Sequence, residues 1–192
     1  RSRKTVRSIM FRPDMIKAIR EGRKTVTRRV IKPQPPVASL PVDFVGEFSI
    51  LGKGYRARYQ PGEVVYIKEA WASEAIDDEL KPCEIPKGYP IYYKHLFEQT
   101  DNFGAGRWRS PLFMMEWMAR YFLQMLDVRA ERLQEITEND CIAEGCEYPT
   151  NWGSGSSFRY SYQIIWDSIN KDHPWASNPF VWVYSFKRVD KV

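Results

Sequence analysis

Gly22-Arg23-Lys24-Thr25-Val26-Thr27-Arg28-Arg29 marks the passage from a predicted helix to a predicted strand. Pro13 suits the first position of a helix and Gly22 suits the residue after its end, so residues 12–21 are predicted to be helical. The β-branched, alternating residues 25–31 then predict a strand. Its cationic side chains could hold an anionic or polar partner, or could simply keep a solvated edge strand from pairing.

The composition indicates a globular protein with a modest positive charge. The chain has 192 residues, of which 43% are hydrophobic and 15% aromatic, as expected for one domain with a real core. A net charge of +5 favours anionic partners such as nucleic acid, although solubility explains it equally well. No stretch approaches the roughly 20 apolar residues that span a bilayer, and no signal peptide opens the sequence. We therefore expect a cytoplasmic protein without a membrane partner. Because Arg1 is not a natural first residue, trimming of the N-terminus stays an open alternative.

The cysteines and histidines predict neither a disulfide framework nor a metal site. Cys83, Cys141 and Cys146 are odd in number and lack CxxC spacing, which indicates a reducing compartment. His95 and His173 lie far apart and in no ligand spacing. We therefore predict no metal and no cofactor.

The rest of the chain combines short strands with a few helices, which predicts an α+β fold with a curled or barrel-like sheet. The apolar stripe of residues 158–169, including Ile169, predicts an amphipathic helix. Residues 44–51 and 55–59 predict a hairpin joined by residues 52–54. The further predicted strands cover residues 63–69, 91–94, 121–133 and 180–186.

Glu144 breaks a local rule. Thr137-Glu138-Asn139-Asp140 fits a capping box, so a short helix is predicted to begin there and to stop at Gly145. Glu144 then falls in the last turn, where the negative end of the helix dipole disfavours a carboxylate. This makes Glu144 a candidate for function.

The Gly22–Arg29 stretch resembles the ASCH domain family, in particular its longer branch from bacteria and their phages. The resemblance treats residues 1–192 as one domain, with surface insertions at 33–54 and 74–105. Further support comes from residues 61–71, 127–133, 143–145 and 178–183.

The resemblance implies a PUA-like fold, a small β-barrel with helices packed over its openings, and a role with RNA or modified nucleosides. In the compact bacterial branch, members are amidohydrolases that remove acetyl from N4-acetylcytidine. Their lysine, threonine and glutamate correspond to Lys24, Thr27 and Glu144 of this sequence. The implied catalytic residues are therefore Lys24, Thr27 and Glu144.

Amide hydrolysis is chemically consistent with these residue types. A desolvated Lys24 could take the proton of Thr27, while Glu144 positions a water, protonates the leaving amine or holds the lysine. Arg29 or a backbone N–H could stabilise the oxyanion. Residues 24 and 27 of a regular strand point to opposite faces, so Lys24 must belong to the preceding turn, or a bulge must intervene.

The alternative function is a non-catalytic RNA-binding module, or a ribonuclease, that uses the same basic strand. Arginines would hold phosphates and a tryptophan would stack a base, although each tryptophan also suits the core. The predicted substrate- or RNA-binding residues are Arg23, Arg28, Arg29, Glu69, Trp71, Arg107 and Trp108.

Overall fold

The computed structural model describes residues 6–37, 40, 46–96, 104–148 and 157–191. Its architecture is mixed α+β, with a multi-strand sheet and few helices, as predicted. The helices are α1 (Pro13–Arg20), α2 (Glu138–Ala143) and α3 (Phe158–Ile169). None of the helices described combines the length and apolar character that crossing a bilayer requires. The strands are β1 (Arg7–Met10), β2 (Val26–Val30), β3 (Glu47–Ile50), β4 (Lys53–Arg56), β5 (Val64–Lys68), β6 (Trp71–Ala72), β7 (Tyr92–Tyr93), β8 (Phe122–Arg132) and β9 (Phe180–Val189).

The chain divides into two compact units, the first formed by Arg1–Ile16, Val64–Leu123 and Arg188–Val192. In this unit β1 runs parallel to β5, and the beginning of β8 follows β5 in strand order. β6 pairs with β7 in antiparallel orientation. The core of the unit consists of Tyr66, Trp71, Ile85, Met114, Met118, Ala119 and Phe122.

The second unit is formed by Lys17–Glu63 and Gln124–Lys187. Its strand order is β8, β9, β2, and β2 is antiparallel to β9, with Arg28 opposite Val183. Alternation along β9 places Val181 and Val183 on the face that packs with α3. The core on this face consists of Leu133, Ile136, Cys141, Cys146, Tyr162, Trp166, Val181 and Val183.

Most predicted elements are confirmed, and two details are wrong. The hairpin turns at Leu51 and Gly52, which both have positive φ (50° and 77°), so β4 begins at Lys53. Such a two-residue turn matches the twist of the flanking strands. Ile169 is 44% exposed because it lies at the end of α3. Residues 38–39, 41–45 and 97–103 of the predicted insertions lie outside the described residues.

Candidate functional site

Lys24 precedes the regular part of its strand. Gly22, at φ 76°, reverses the chain after α1, and the N–H groups of Arg23 and Lys24 both donate to Ala18 O, at 2.9 and 3.1 Å. Lys24 then forms an isolated antiparallel bridge with Glu144, whereas β2 begins at Val26. Lys24 therefore belongs to the turn that follows α1, which is one of the two arrangements that the sequence allowed.

Glu144 lies at the end of α2, where a glycine brings it against Lys24. The Glu144 N–H donates to Asp140 O at 2.8 Å, and Gly145 follows with φ 84°. A Cβ on Gly145 would lie 3.0 Å from Ala18 Cβ and 3.1 Å from Lys24 Cβ. The close approach of the two segments therefore requires glycine at this position.

The Lys24 amine is buried against Glu144. Nζ donates to Glu144 Oε2 at 2.5 Å, to Glu144 O at 2.8 Å and to Val26 O at 2.9 Å. The side chains of Lys24 and Glu144 are 0% and 4% exposed. Burial lowers the pKa of Lys24, although the carboxylate of Glu144 opposes this effect. The lysine also offsets the unfavourable carboxylate at the helix end, because a cation there is stabilising.

Arg28 connects Glu144 to two further carboxylates. Its Nε and Nη2 donate to Glu131 Oε1 at 2.9 and 2.7 Å, and its Nη1 donates to Glu144 Oε1 at 3.3 Å. Nη2 also lies 3.3 Å from Asp140 Oδ2. Burial alone would lower the pKa of Arg28, but Glu144 and Glu131 raise it overall. We call Lys24, Arg28, Glu131, Asp140 and Glu144 the charge cluster.

Three more side chains adjoin the charge cluster. Tyr162 O–H donates to Glu144 Oε1 at 3.5 Å, and burial raises the pKa of Tyr162 well above its usual value. Burial likewise raises the pKa of Cys141 and Cys146 to about 12, so both remain thiols at neutral pH and are poor nucleophiles. Within the described part of the chain, no group of His, Cys, Asp and Glu side chains has the arrangement of a metal site.

Arg129 lies at the rim of the charge cluster. Its Nε lies 3.1 Å from Glu131 Oε2, its Nη2 lies 3.6 Å from Asp140 Oδ1, and its side chain is 40% exposed. Sequence reasoning missed Glu131, Asp140 and Tyr162 as site residues. The sequence indicates structural roles for two of them, because Asp140 completes the capping box and Tyr162 lies on the apolar stripe of α3.

Thr27 and Arg29 occupy the other face of β2. Alternation separates them from Arg28, and their cross-strand partners on β9 are Tyr184 and Trp182. Thr27 is buried. Lys24 Nζ nevertheless contacts the carbonyl of the peptide that joins Val26 to Thr27, so the amine lies at the strand beside the threonine backbone.

Arg23 remains at the surface of the second unit. Its Nε and Nη2 donate to Glu21 Oε2 at 2.9 and 2.7 Å, and Nη2 lies 3.5 Å from Glu147 Oε1. The hydrogen bond from Arg23 lowers the pKa of Glu21. Lys24 and Arg28 differ from Arg23, because their side chains are 0% exposed and present no charge to a phosphate in solvent.

The predicted binding residue Glu69 lies in the first unit, in a buried ion pair. Its two carboxylate oxygens accept from Arg120 Nε and Nη2 at 3.0 and 2.8 Å. Burial raises the pKa of Glu69, and Arg120 opposes this effect. The guanidinium also lies 4.2 Å from the ring of Tyr93 and 4.6 Å from that of Tyr121, an arrangement that fixes its plane.

Trp71 is a fully buried core residue of the first unit. Its ring lies 5.3 Å from the guanidinium of Arg109, which donates to the carbonyls of Asp77, Asp78 and Leu80. Among the residues described, four buried side-chain atoms in this region have no hydrogen-bond partner. These atoms are Trp71 Nε1, Ser73 Oγ, Asp77 Oδ2 and Arg109 Nε.

Arg107 and Trp108 complete the predicted residues of the first unit. The backbone N–H of Arg107 donates to the Asp78 carboxylate at 2.9 and 3.0 Å, while its side chain is exposed. Trp108 is half-buried. The structure thus brings Lys24, Arg28 and Glu144 together in the second unit, whereas Thr27 and Arg29 lie on the opposite face of β2. Glu69, Trp71, Arg107 and Trp108 belong to the first.

Comparisons with known proteins leave the family unassigned. No protein-family model matches the chain, and no curated protein matches it significantly. One similar solved structure is protein EF3133 from Enterococcus faecalis V583, of the family DUF984. It is 11% identical, with a TM-score of 0.46, over 98% of this chain and 83% of that one. A likeness this distant carries no functional argument.

Proposed function

We propose that the protein is an RNA- or nucleoside-directed amidohydrolase of the ASCH type, with a PUA-like barrel. Its proposed substrate is N4-acetylcytidine or a similar acylated nucleoside. The observation that carries the proposal is the fully buried Lys24 amine, 2.5 Å from Glu144 Oε2. A buried lysine whose pKa is lowered can serve as a general base, which a solvated lysine cannot do well at neutral pH.

In the proposed reaction, neutral Lys24 accepts the hydroxyl proton of Thr27 as the threonine oxygen attacks the acetyl carbon. The carbon–nitrogen bond of the amide breaks, and the proton passes to the leaving amine. Water then hydrolyses the acetyl ester, which releases acetate and restores the hydroxyl. Arg29, on the same face of β2 as Thr27, or a backbone N–H stabilises the oxyanion. Glu144 holds the amine in place or positions the water.

Release of cytidine from N4-acetylcytidine tests this proposal. Lys24→Arg keeps the charge but cannot accept a proton, so turnover should fall by roughly 10²–10⁴-fold. Thr27→Ala should lose turnover to a similar extent, whereas Thr27→Ser should retain part of it. Thr25→Ala is the matched control, because Thr25 is exposed two positions away.

An RNA-binding titration is run beside the turnover assay. Lys24→Arg and Thr27→Ala should bind RNA as the parent does while losing turnover. Full turnover by both variants would refute the mechanism. RNA binding without any turnover by the parent protein would favour the binding module instead.

A further inference from the structure

We infer that Arg28 is a positioning residue for the Lys24–Glu144 pair. It fixes the Glu144 carboxylate, and it weakens the stabilisation that this carboxylate gives to protonated Lys24. The catalytic meaning of this role rests on the function proposed above. The placement of Arg28, and the titration that tests it, do not depend on turnover.

The first part of the argument is geometric. The two oxygens of Glu144 have different partners: Oε2 accepts from Lys24 at 2.5 Å, while Oε1 faces Arg28 Nη1 at 3.3 Å and Tyr162 at 3.5 Å. A carboxylate held through both oxygens cannot rotate away from the amine. Arg28 is itself fixed by Glu131, through two hydrogen bonds to one oxygen.

The second part concerns charge. A guanidinium keeps its proton at any pH at which the protein folds, so Arg28 is a permanent positive charge. It divides its attraction among Glu131, Asp140 and Glu144 and thereby offsets the negative charge that faces Lys24. The titratable or charged groups around the amine, on β2, β8, α2, the turn after α2 and α3, are Arg28, Arg29, Arg129, Glu131, Asp140, Cys141, Glu144, Cys146 and Tyr162.

Two substitutions should therefore shift the titration of the pair in opposite directions. Arg28→Gln removes a positive charge beside Glu144, so the Lys24–Glu144 pair should hold its proton to a higher pH than in the parent protein. Glu131→Gln removes a negative charge while keeping the acceptor oxygen, so the pair should lose its proton at a lower pH. Arg28→Lys keeps the positive charge, so the Lys24–Glu144 pair should titrate at nearly the same pH in this variant as in the parent protein.

The experiment is an NMR pH titration of protein labelled at the lysine side chains, in which Lys24→Met identifies the Lys24 signal. Arg129→Gln is the matched control, because Arg129 contacts Glu131 and Asp140 from the exposed rim and should shift the titration less than Arg28→Gln. An unchanged titration in Arg28→Gln, or an upward shift in Glu131→Gln, would overturn the inference.

Glu131→Gln decides the question alone if Arg28→Gln does not fold, because glutamine has the shape and the acceptor of glutamate. Turnover is measured separately on the same variants. Arg28→Lys should lower kcat with KM and the titration nearly unchanged, because the charge remains while the geometry loosens. A parent without turnover would refute the proposed function and leave the titration result standing.

Discussion

Gly145→Ala should destabilise the second unit by more than the conformational cost of placing alanine at a positive φ. Gly145 and Gly22 both follow a helix end and both have positive φ, at 84° and 76°. A Cβ at Gly22 would meet nothing within 4 Å, whereas a Cβ at Gly145 would lie 3.0 Å from Ala18 Cβ and 3.1 Å from Lys24 Cβ. Gly22→Ala therefore measures the conformational cost of about 1–2 kcal/mol.

Gly145→Ala adds the cost of overpacking two rigid neighbours, since a Cβ cannot rotate away as the end of a long side chain can. The added term is about 1–2 kcal/mol, at the lower end of overpacking costs, which gives a total of roughly 2–4 kcal/mol. Urea unfolding of both variants, with equal m-values, measures the difference. Equal losses of unfolding free energy in the two variants would refute the close contact between Gly145 and Lys24.

Three further outcomes follow from the burial of particular groups. Lys24→Met should lower the free energy of unfolding by about 3–5 kcal/mol, and adding Glu144→Gln should recover part of that loss. Strictly additive losses in urea unfolding would contradict a coupled pair. Because burial lowers the pKa of Lys24 below 10.5, the unfolded chain binds more protons between the two pKa values, so the contribution of Lys24 to stability should rise with pH across that interval. Thermal melts over alkaline pH should show this slope in the parent and not in Lys24→Met. A thiol reagent at about pH 8 should modify exposed Cys83 quickly and Cys141 and Cys146 only after unfolding, and rapid modification of all three in the native protein would argue against their burial.

Features set by neighbouring residues could be predicted from the sequence. The predicted helix at 158–169 has the bounds of α3, and Ser157 caps it by accepting from the Tyr160 N–H. Gly22 has the positive φ that its place after α1 requires. The capping box of Thr137 and Asp140 also forms as predicted. These outcomes depend on contacts within one turn, which a short stretch of sequence specifies.

The partners of the charged side chains could not be predicted in the same way. Arg28 pairs with Glu131, 103 positions away, and strand alternation specifies a face but not which carboxylate will lie there. The sequence therefore left Arg28 as a cation available to RNA, whereas its side chain is buried. Glu144 was found because a carboxylate at a helix end is locally unfavourable, and the lysine that compensates for it lies 120 positions earlier.

That separation affects the order of events when the protein folds. During synthesis β2 leaves the ribosome well before β8 and α2, so the partners of Lys24 and Arg28 do not yet exist. Neither side chain can be buried as a cation before its carboxylate partner is present, because burying an unpaired charge costs several kcal/mol. The amine and guanidinium must therefore stay hydrated until Glu131 and Glu144 arrive. We therefore expect dehydration of this part of β2 to be a late, cooperative step of folding, and we expect a chain interrupted before α2 to keep its basic strand in water.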